Sequence, residues 1–471
     1  MYERSKVRRG NCVGPHTEAQ RHREGIPLIG YGSVDTSVAV IGGGPAGLAA
    51  AFSLVRAGAS VVVFEVEAGV GGRTRTDVVD GYRIDGGTQL FGTHYRRVLA
   101  LLGEAGAGDG MVRAPGRDAL WRKGRAHEVV YGSPTSMLAS GALPLGLKMK
   151  LGAQYLPFLQ RHGSGLDMDA LEHAADAGMD GESAAAWGER EIGRDFVDLL
   201  AHPLLATLYG IGSEEASAGF YHALSRQGLT LQVLAMRGGA GGFCDALAGA
   251  VRRGGGEVRT GAAVSAVRRV EGGVDVAGER FDAAVVAVPA PAALGLLGDA
   301  LPAASEWLRG VRVRPTATVA LLLDRPVPGR FFGLSFPRGE TRVVAAACAE
   351  ENKGAAVVPE GRGLLLAIPT PAAGEALLDA SPDDALRAVL PELAHAIPTL
   401  SRTIQDVRVY PWRHGWTLFY PGYLARLRAA RDGALEGGGP IALAGDYLYA
   451  PTVEGAVAAG LDAARRIIAR G

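Results

Sequence analysis

Cysteine is scarce. The chain of 471 residues has three, Cys12, Cys244 and Cys348. That is too few for a disulfide framework, and none forms a CxxC pair or sits near a histidine at metal-ligand spacing, so neither a disulfide nor a metal site is expected and a reducing cytoplasm is the default setting. Lysine is nearly absent as well: it stands only at positions 6, 123, 148, 150 and 353, so 44 of the 49 basic residues are arginine. An excess of either charge is missing, with 49 basic against 49 acidic residues and a pI of about 7.2. No overall field points to a nucleic acid partner. A secretory signal is missing too: residues 1–36 are polar and irregular with no apolar centre, and are read as an irregular N-terminal extension. Val38 to Val55 runs 18 residues without a charge, but three consecutive glycines and Pro45 inside it fit a strand, turn and helix better than a membrane span. The apolar stretch from Ser136 to Arg161, flanked by Lys148, Lys150 and Arg161, is read as helix packed on its own core; peripheral contact with a membrane is the less favoured alternative.

What the chain does have is glycine. Its 69 glycines are about 15% of 471 residues, twice the usual ~7%. They cluster without a three-residue period. Hydrophobic residues at 48% and charged residues at 21% describe a globular protein long enough for two or three domains.

The first cluster sits in a βαβ pattern. Ser37–Ile41 is a short β-branched run and predicts a buried strand; Leu48–Ala57 predicts a helix that Gly58 stops; Ser60–Phe64 predicts a second strand. Between strand and helix lies GxGxxG, with Gly42, Gly44 and Gly47 followed or separated by Pro45 and Ala46. The first glycine permits the tight turn, the second lets the backbone approach a pyrophosphate, and the third lets helix and strand pack closely. Glu65 ends the second strand, where a carboxylate can accept hydrogen bonds from a ribose diol and repel a 2′-phosphate. The unit predicts dinucleotide binding.

The next cluster, Gly71-Gly72-Arg73 directly after the second strand, and then Asp85-Gly86-Gly87-Thr88-Gln89, selects among dinucleotides. GGGPAGLAAAFSLVRAG…VVVFEVEAGVGGRTRT…YRIDGGTQL resembles the start of the superfamily of FAD-dependent amine oxidases, protoporphyrinogen oxidases and phytoene desaturases. The resemblance implies that the GGR turn runs along the FAD pyrophosphate with Arg73 supplying positive charge, and that Gly87 and Thr88 approach the flavin edge. It extends to the C-terminus, where Gly445-Asp446 matches the pair that holds the ribityl phosphate, and Val453, Glu454 and Ala456 match the start of the helix that faces the flavin. In the middle of the chain, Val264 matches a residue whose backbone contacts adenine.

The implied fold class is α/β: a discontinuous Rossmann-type FAD-binding domain (37–95, 236–300 and 405–471) beside an α+β substrate domain with a helical insert (96–235 and 301–404). Within the superfamily the chain departs from the amine oxidases. No lysine occurs between 150 and 353, so the strand resembling Pro315–Val319 lacks their flavin-side lysine. Gly415 stands where a flavin-linking cysteine can occur, so FAD is expected to be non-covalent. Trp416 matches one wall of the aromatic cage, while Thr452 stands in place of the other. The helical block Ala185–Ala218 is closer to the protoporphyrinogen oxidase and desaturase branch. Candidate residues at the reacting face are Gln89, His94, Tyr410, Trp412 and Trp416, with Tyr447 and Tyr449 beside them. The implied activity is two-electron oxidation, at C–C or C–N, of an apolar or aromatic small molecule by hydride transfer to the flavin, with O2 or another acceptor reoxidising it. A flavin-dependent isomerase is the second reading and a flavin-binding protein without catalysis the third.

Overall fold

Strands buried on both faces read as continuous apolar runs rather than alternating ones. Ser37–Ile41 is such a run: Val38, Ala39 and Val40 are wholly enclosed. In the computed structural model, which describes residues 35–130, 132–430, 435 and 439–470, this strand is the centre of a five-stranded parallel sheet. Its neighbours in order are Glu257–Arg259, Ser60–Phe64, Ser37–Ile41, Ala283–Val286 and Ile441–Leu443. Three segments far apart in sequence thus share one sheet. The extension read over 1–36, with Cys12, lies up to residue 34 outside the described residues.

Two helices pack on this sheet, Pro45–Arg56 and the C-terminal Val453–Ile468. They touch through small residues. A Cβ at Gly460 would lie 2.1 Å from the Ala46 carbonyl oxygen, so glycine is what lets the helices approach so closely.

A second, seven-stranded sheet runs in the order Ile404–Thr417, Val313–Leu323, Gly363–Pro369, Val344–Ala349, Gly333–Ser335, Arg117–Arg122 and Arg125–Val130. The long strand Val313–Leu323 alternates as a two-faced strand should. Ala317, Val319, Leu321 and Leu323 join the core under the helix Pro382–Ala396, while Thr316 and Thr318 face a large cavity.

The remaining wall of that cavity comes from the helices between 134 and 228. Two of them contain a wide π turn, Leu151–Tyr155 and Val197–Ala201. Each turn runs into a proline, Pro157 and Pro203. Proline has no N–H to return to the preceding turn, so the helix opens locally. The helix from Arg194 to Tyr209 is for this reason three pieces, and after it Gly210 turns left-handed at φ +56°. The stretch from 136 to 161 forms the helices Pro134–Ala139, Leu145–Lys150 and Leu156–Arg161, with Leu147 and Leu159 buried and Leu145 and Met149 exposed. Among the described residues no helix is long and apolar enough to cross a membrane.

Candidate cofactor and substrate site

At the end of the first strand the chain must turn sharply into a helix. Gly42 takes φ +109°, and a side chain there would strike the Ala287 carbonyl oxygen at 2.5 Å. A Cβ at Gly47 would lie 1.9 Å from the Gly42 carbonyl oxygen. Gly44 differs: a Cβ there would find no atom within 4 Å, because it would point into the cavity. Two glycines serve the protein's own packing and the third leaves an open cradle at a helix N-terminus, with Pro45 and Ala46 beside it on the cavity wall.

Glu65 is buried at the end of the second strand. One carboxylate oxygen accepts the Gly43 N–H at 2.6 Å and the other the Glu67 N–H at 2.9 Å. A carboxylate has about four acceptor positions, so the group is fixed in place and still able to accept further donors. Ala262 N–H donates to the Glu65 backbone carbonyl, which brings the loop with Val264 to the same wall.

The second glycine cluster docks on the first. Gly71 N–H donates to the Gly43 carbonyl at 2.8 Å, and Gly71 and Gly72 both have positive φ. Arg73 follows, and its guanidinium grips the Asp446 carboxylate with both nitrogens, at 3.0 and 2.9 Å, and also donates to the Gly415 carbonyl at 3.0 Å. Thr417 Oγ1 donates to the same carboxylate at 3.0 Å. Bidentate pairing of this kind fixes geometry as well as charge. Arg73 thereby ties the N-terminal turn to Gly445-Asp446, 373 residues away.

Behind Arg73 runs the strip Gly86–Thr88. Thr88 N–H donates to the Arg73 carbonyl at 2.9 Å, and a Cβ at Gly87 would meet that carbonyl at 2.1 Å. Trp412 Nε1 donates to the Gly86 carbonyl at 2.8 Å. Trp416 packs against the substrate-side helices, where a Cβ at Gly210 would lie 2.2 Å from its indole ring.

Most of these groups line one cavity of about 1400 Å³. Pockets for a single small ligand run to roughly 1,000 Å³, so there is room for a dinucleotide and a second molecule. One end is built of Gly42, Gly44, Pro45, Ala46, Glu65, Gly72, Arg73, Val264, Gly445, Asp446, Val453 and Ala456. Gly87, Thr88, Gln89, His94, Trp412, Trp416 and Thr452 stand along its middle. Leucines from the helices close the other end, among them Leu151, Leu159, Leu199, Leu204 and Leu224. Gly47 and Gly71 lie behind the wall, in the packing just described. The open cradle at Gly44 and the convergent donors fit a dinucleotide.

Burial pushes the His94 imidazole down to about 4, so it is neutral at physiological pH. His414, beside Arg73, is lowered by burial and by that guanidinium.

One candidate for the reacting face is corrected, and a second residue has its side chain elsewhere. Tyr410 does not line the cavity: its ring lies under Gly86 and its hydroxyl donates to Asp77 at 2.9 Å. Glu454 points away from it. Its carboxylate accepts the backbone N–H groups of Arg97 and Val98 at 2.9 and 3.0 Å, satisfying the free amides at the start of the helix Arg96–Glu104. Tyr447 and Tyr449 are also absent from the wall; their hydroxyls bond Ala444 and Asp462. Four tyrosines on the wall, Tyr95, Tyr155, Tyr209 and Tyr221, escaped the sequence reading. The signal for Tyr209 was Gly210, a helix-ending glycine that sets the last side chain before it.

Comparison with known proteins agrees with this geometry. The family of flavin-containing amine oxidoreductases matches residues 45–468, and the chain belongs to it. It is an FAD-dependent oxidoreductase. Coproporphyrinogen III oxidase from Mycobacterium bovis is 28% identical over 472 residues, covering 92% of this chain and 97% of that protein. The enzyme of that name from Propionibacterium freudenreichii subsp. freudenreichii is 29% identical over 189 residues, covering 38% of this chain and only 32% of that protein. The crystal structure of a putative protoporphyrinogen oxidase from Exiguobacterium sp. 255-15 superposes with a TM-score of 0.71 at 20% identity, covering 93% of this chain and all of the other.

Proposed function

We propose that this protein oxidises a neutral, largely apolar or aromatic small molecule, using non-covalent FAD. FAD, when bound, supplies the two-electron acceptor that takes hydride from the substrate. The amides at the start of the helix Pro45–Arg56 and the open backbone at Gly44 receive the pyrophosphate. Glu65 accepts from the ribose, and the loop with Val264 covers the adenine. Gly87 and Thr88 border the flavin edge. Asp446, held by Arg73 and Thr417, meets the ribityl chain, and the first turn of the helix Val453–Ile468 presents Val453 and Ala456. Trp412 and Trp416 orient the substrate, and the leucine-lined end excludes water.

The observation that carries the substrate class is the charge of the wall. Among the described lining residues drawn from 96–235 and 301–404 there is no lysine, arginine or histidine, and one carboxylate, Asp118. Coproporphyrinogen III, the substrate in the names of the relatives, is a tetracarboxylic acid. Burying carboxylates without cationic partners is costly, so this part of the wall favours a neutral molecule; the arginines on the cavity, Arg73, Arg75 and Arg413, come from the flavin-side segments. The test is anaerobic bleaching of the visible flavin band with neutral dihydroaromatic compounds, their carboxylated analogues and coproporphyrinogen III. Neutral compounds are expected to bleach it fastest. Faster bleaching by coproporphyrinogen III would sink the reading.

A further inference from the structure

Behind the Gly86–Thr88 strip, outside the cavity, lie three charged side chains with no access to solvent. Lys353 is 0% exposed, Asp85 0% and Glu350 1%. Lys353 Nζ donates to Asp85 Oδ2 at 2.5 Å and to Glu350 Oε2 at 2.9 Å. The second oxygen of Asp85 accepts from Thr76 Oγ1 at 2.5 Å and from Ala240 N–H at 2.9 Å, while Thr76 Oγ1 accepts from Gly241 N–H at 2.8 Å. One carboxylate thus gathers four pieces of chain: the segment after the GGR turn, the strand leading into Gly86, the glycine turn at 239–241, and the short turn Glu350–Lys353 that follows a strand of the seven-stranded sheet.

Such burial needs a reason. Two carboxylates and one ammonium in a dry place leave an unmatched charge, and a buried ion network is seldom the most stable filling of its space. Burial pushes the Glu350 carboxyl up to about 7, and its Oε1 has no partner. Burial alone would lower Lys353, but the Glu350 and Asp85 carboxylates hold it above the ordinary lysine range. Lys353 is also the single lysine between residues 151 and 471, in a chain that otherwise uses arginine. At its position a compact ammonium fits where a planar guanidinium would need more room. Nothing in the network lines the cavity. What it does touch is the residue before Gly86, and the next three residues form the cavity wall, locked to Trp412 and to the Arg73 carbonyl.

We propose that Lys353 is a positioning residue for FAD: through Asp85 it fixes the Gly86–Thr88 strip against the cofactor it never contacts. The fold could be held by an apolar residue in its place, but the depth of the strip could not.

The experiment compares the parent protein with Lys353→Met and the triple variant Asp85→Asn/Glu350→Gln/Lys353→Met. The single variant strands two buried carboxylates, Asp85 and Glu350. The triple variant removes both charges while its Asn Oδ1 still accepts from Thr76 and Ala240. Three quantities are read: the melting temperature of the apoprotein, the FAD dissociation constant from flavin fluorescence quenching, and the visible circular dichroism of bound flavin. The triple variant is expected to regain the parent melting temperature, yet to bind FAD at least tenfold more weakly and with an altered dichroism band. If its FAD affinity and dichroism return to the parent values together with its stability, Lys353 is only structural and the proposal fails. If Lys353→Met does not fold, the triple variant alone decides. Failure of the triple variant to regain stability also overturns the proposal, because the network would then be holding the fold itself.

Discussion

The second and third glycines of the GxGxxG turn make opposite predictions for the same substitution. In Gly47→Ala the new Cβ would lie 1.9 Å from the Gly42 carbonyl oxygen, against about 3.4 Å for ordinary contact. The difference, 3.4 minus 1.9, is a shift of about 1.5 Å, and both partners are backbone. Overpacking usually costs about 1–3 kcal/mol, and a clash with no flexible side chain to yield belongs at the top of that range. In Gly44→Ala the Cβ meets nothing within 4 Å and φ is −81°, so the protein should lose only the small preference of glycine over alanine at a helix N-cap, about 0.5–1 kcal/mol. The methyl group instead takes the place into which a pyrophosphate would press. Losing two charge-assisted hydrogen bonds at about 1.5 kcal/mol each weakens binding on the order of 100-fold. Thermal melting of the two apoproteins, paired with FAD titration by fluorescence quenching, separates the effects. Gly47→Ala should melt early, whereas Gly44→Ala should melt normally but release FAD. Parent-like FAD affinity in a folded Gly44→Ala variant would refute the cradle.

Three further outcomes follow from particular contacts. Tyr410→Phe removes a hydrogen bond to a carboxylate worth about 1.5–3 kcal/mol and should lower the melting temperature while leaving the flavin spectrum and turnover unchanged; altered turnover would return Tyr410 to the reacting face. Gly210→Ala sets a Cβ 2.2 Å from the Trp416 ring at a φ of +56°, so the indole must move, and the fluorescence and flavin spectrum of the holoprotein should both change. His222 is wholly buried among Tyr155, Phe158 and Trp187, its Nε2 has no partner, and burial pushes it down to about 3, with His162 adding to the effect. Its folded pKa is thus below the unfolded value near 6.5. Between those values the unfolded chain holds a proton that the folded one does not, so stability is complete above pH 6.5 and falls as pH drops toward 3, by roughly 4–5 kcal/mol over the whole window. Denaturant melts of His222→Phe should fall less steeply across that range; an unchanged slope would mean the imidazole takes no part in acid unfolding.

Which parts of this site could be read from sequence follows from how far each constraint reaches. The turn at Gly42–Gly47 is dictated within a few residues: a β-branched run, a backbone that must reverse, a helix that must pack close. A short stretch carries the whole instruction. Arg73 also announces itself, but its bidentate hold on Asp446 does not, since that partner is 373 residues away. Glu454 is similar: its place in the first turn of the C-terminal helix is legible, but the hold of its carboxylate on the N–H groups of Arg97 and Val98, 357 and 356 residues distant, is not. Tyr410, Trp412 and Trp416 share a strand, and simple alternation would give them one face. The two tryptophans line the wall, while Tyr410 lies beneath Gly86 although its register with Trp412 is unbroken, so which of them the cavity reaches is set by the Gly86–Thr88 strip laid over the strand. The substrate end is the least legible part because it is made of leucine. A leucine that closes a cavity and one that fills a core satisfy the same apolar rule, and only the assembled helices, with their two proline-driven wide turns, decide which is which. Chemistry that binds through backbone and glycine is written locally, whereas chemistry that selects a substrate through apolar shape is written only in three dimensions. The charge of the wall therefore says more about the substrate than any motif in the chain.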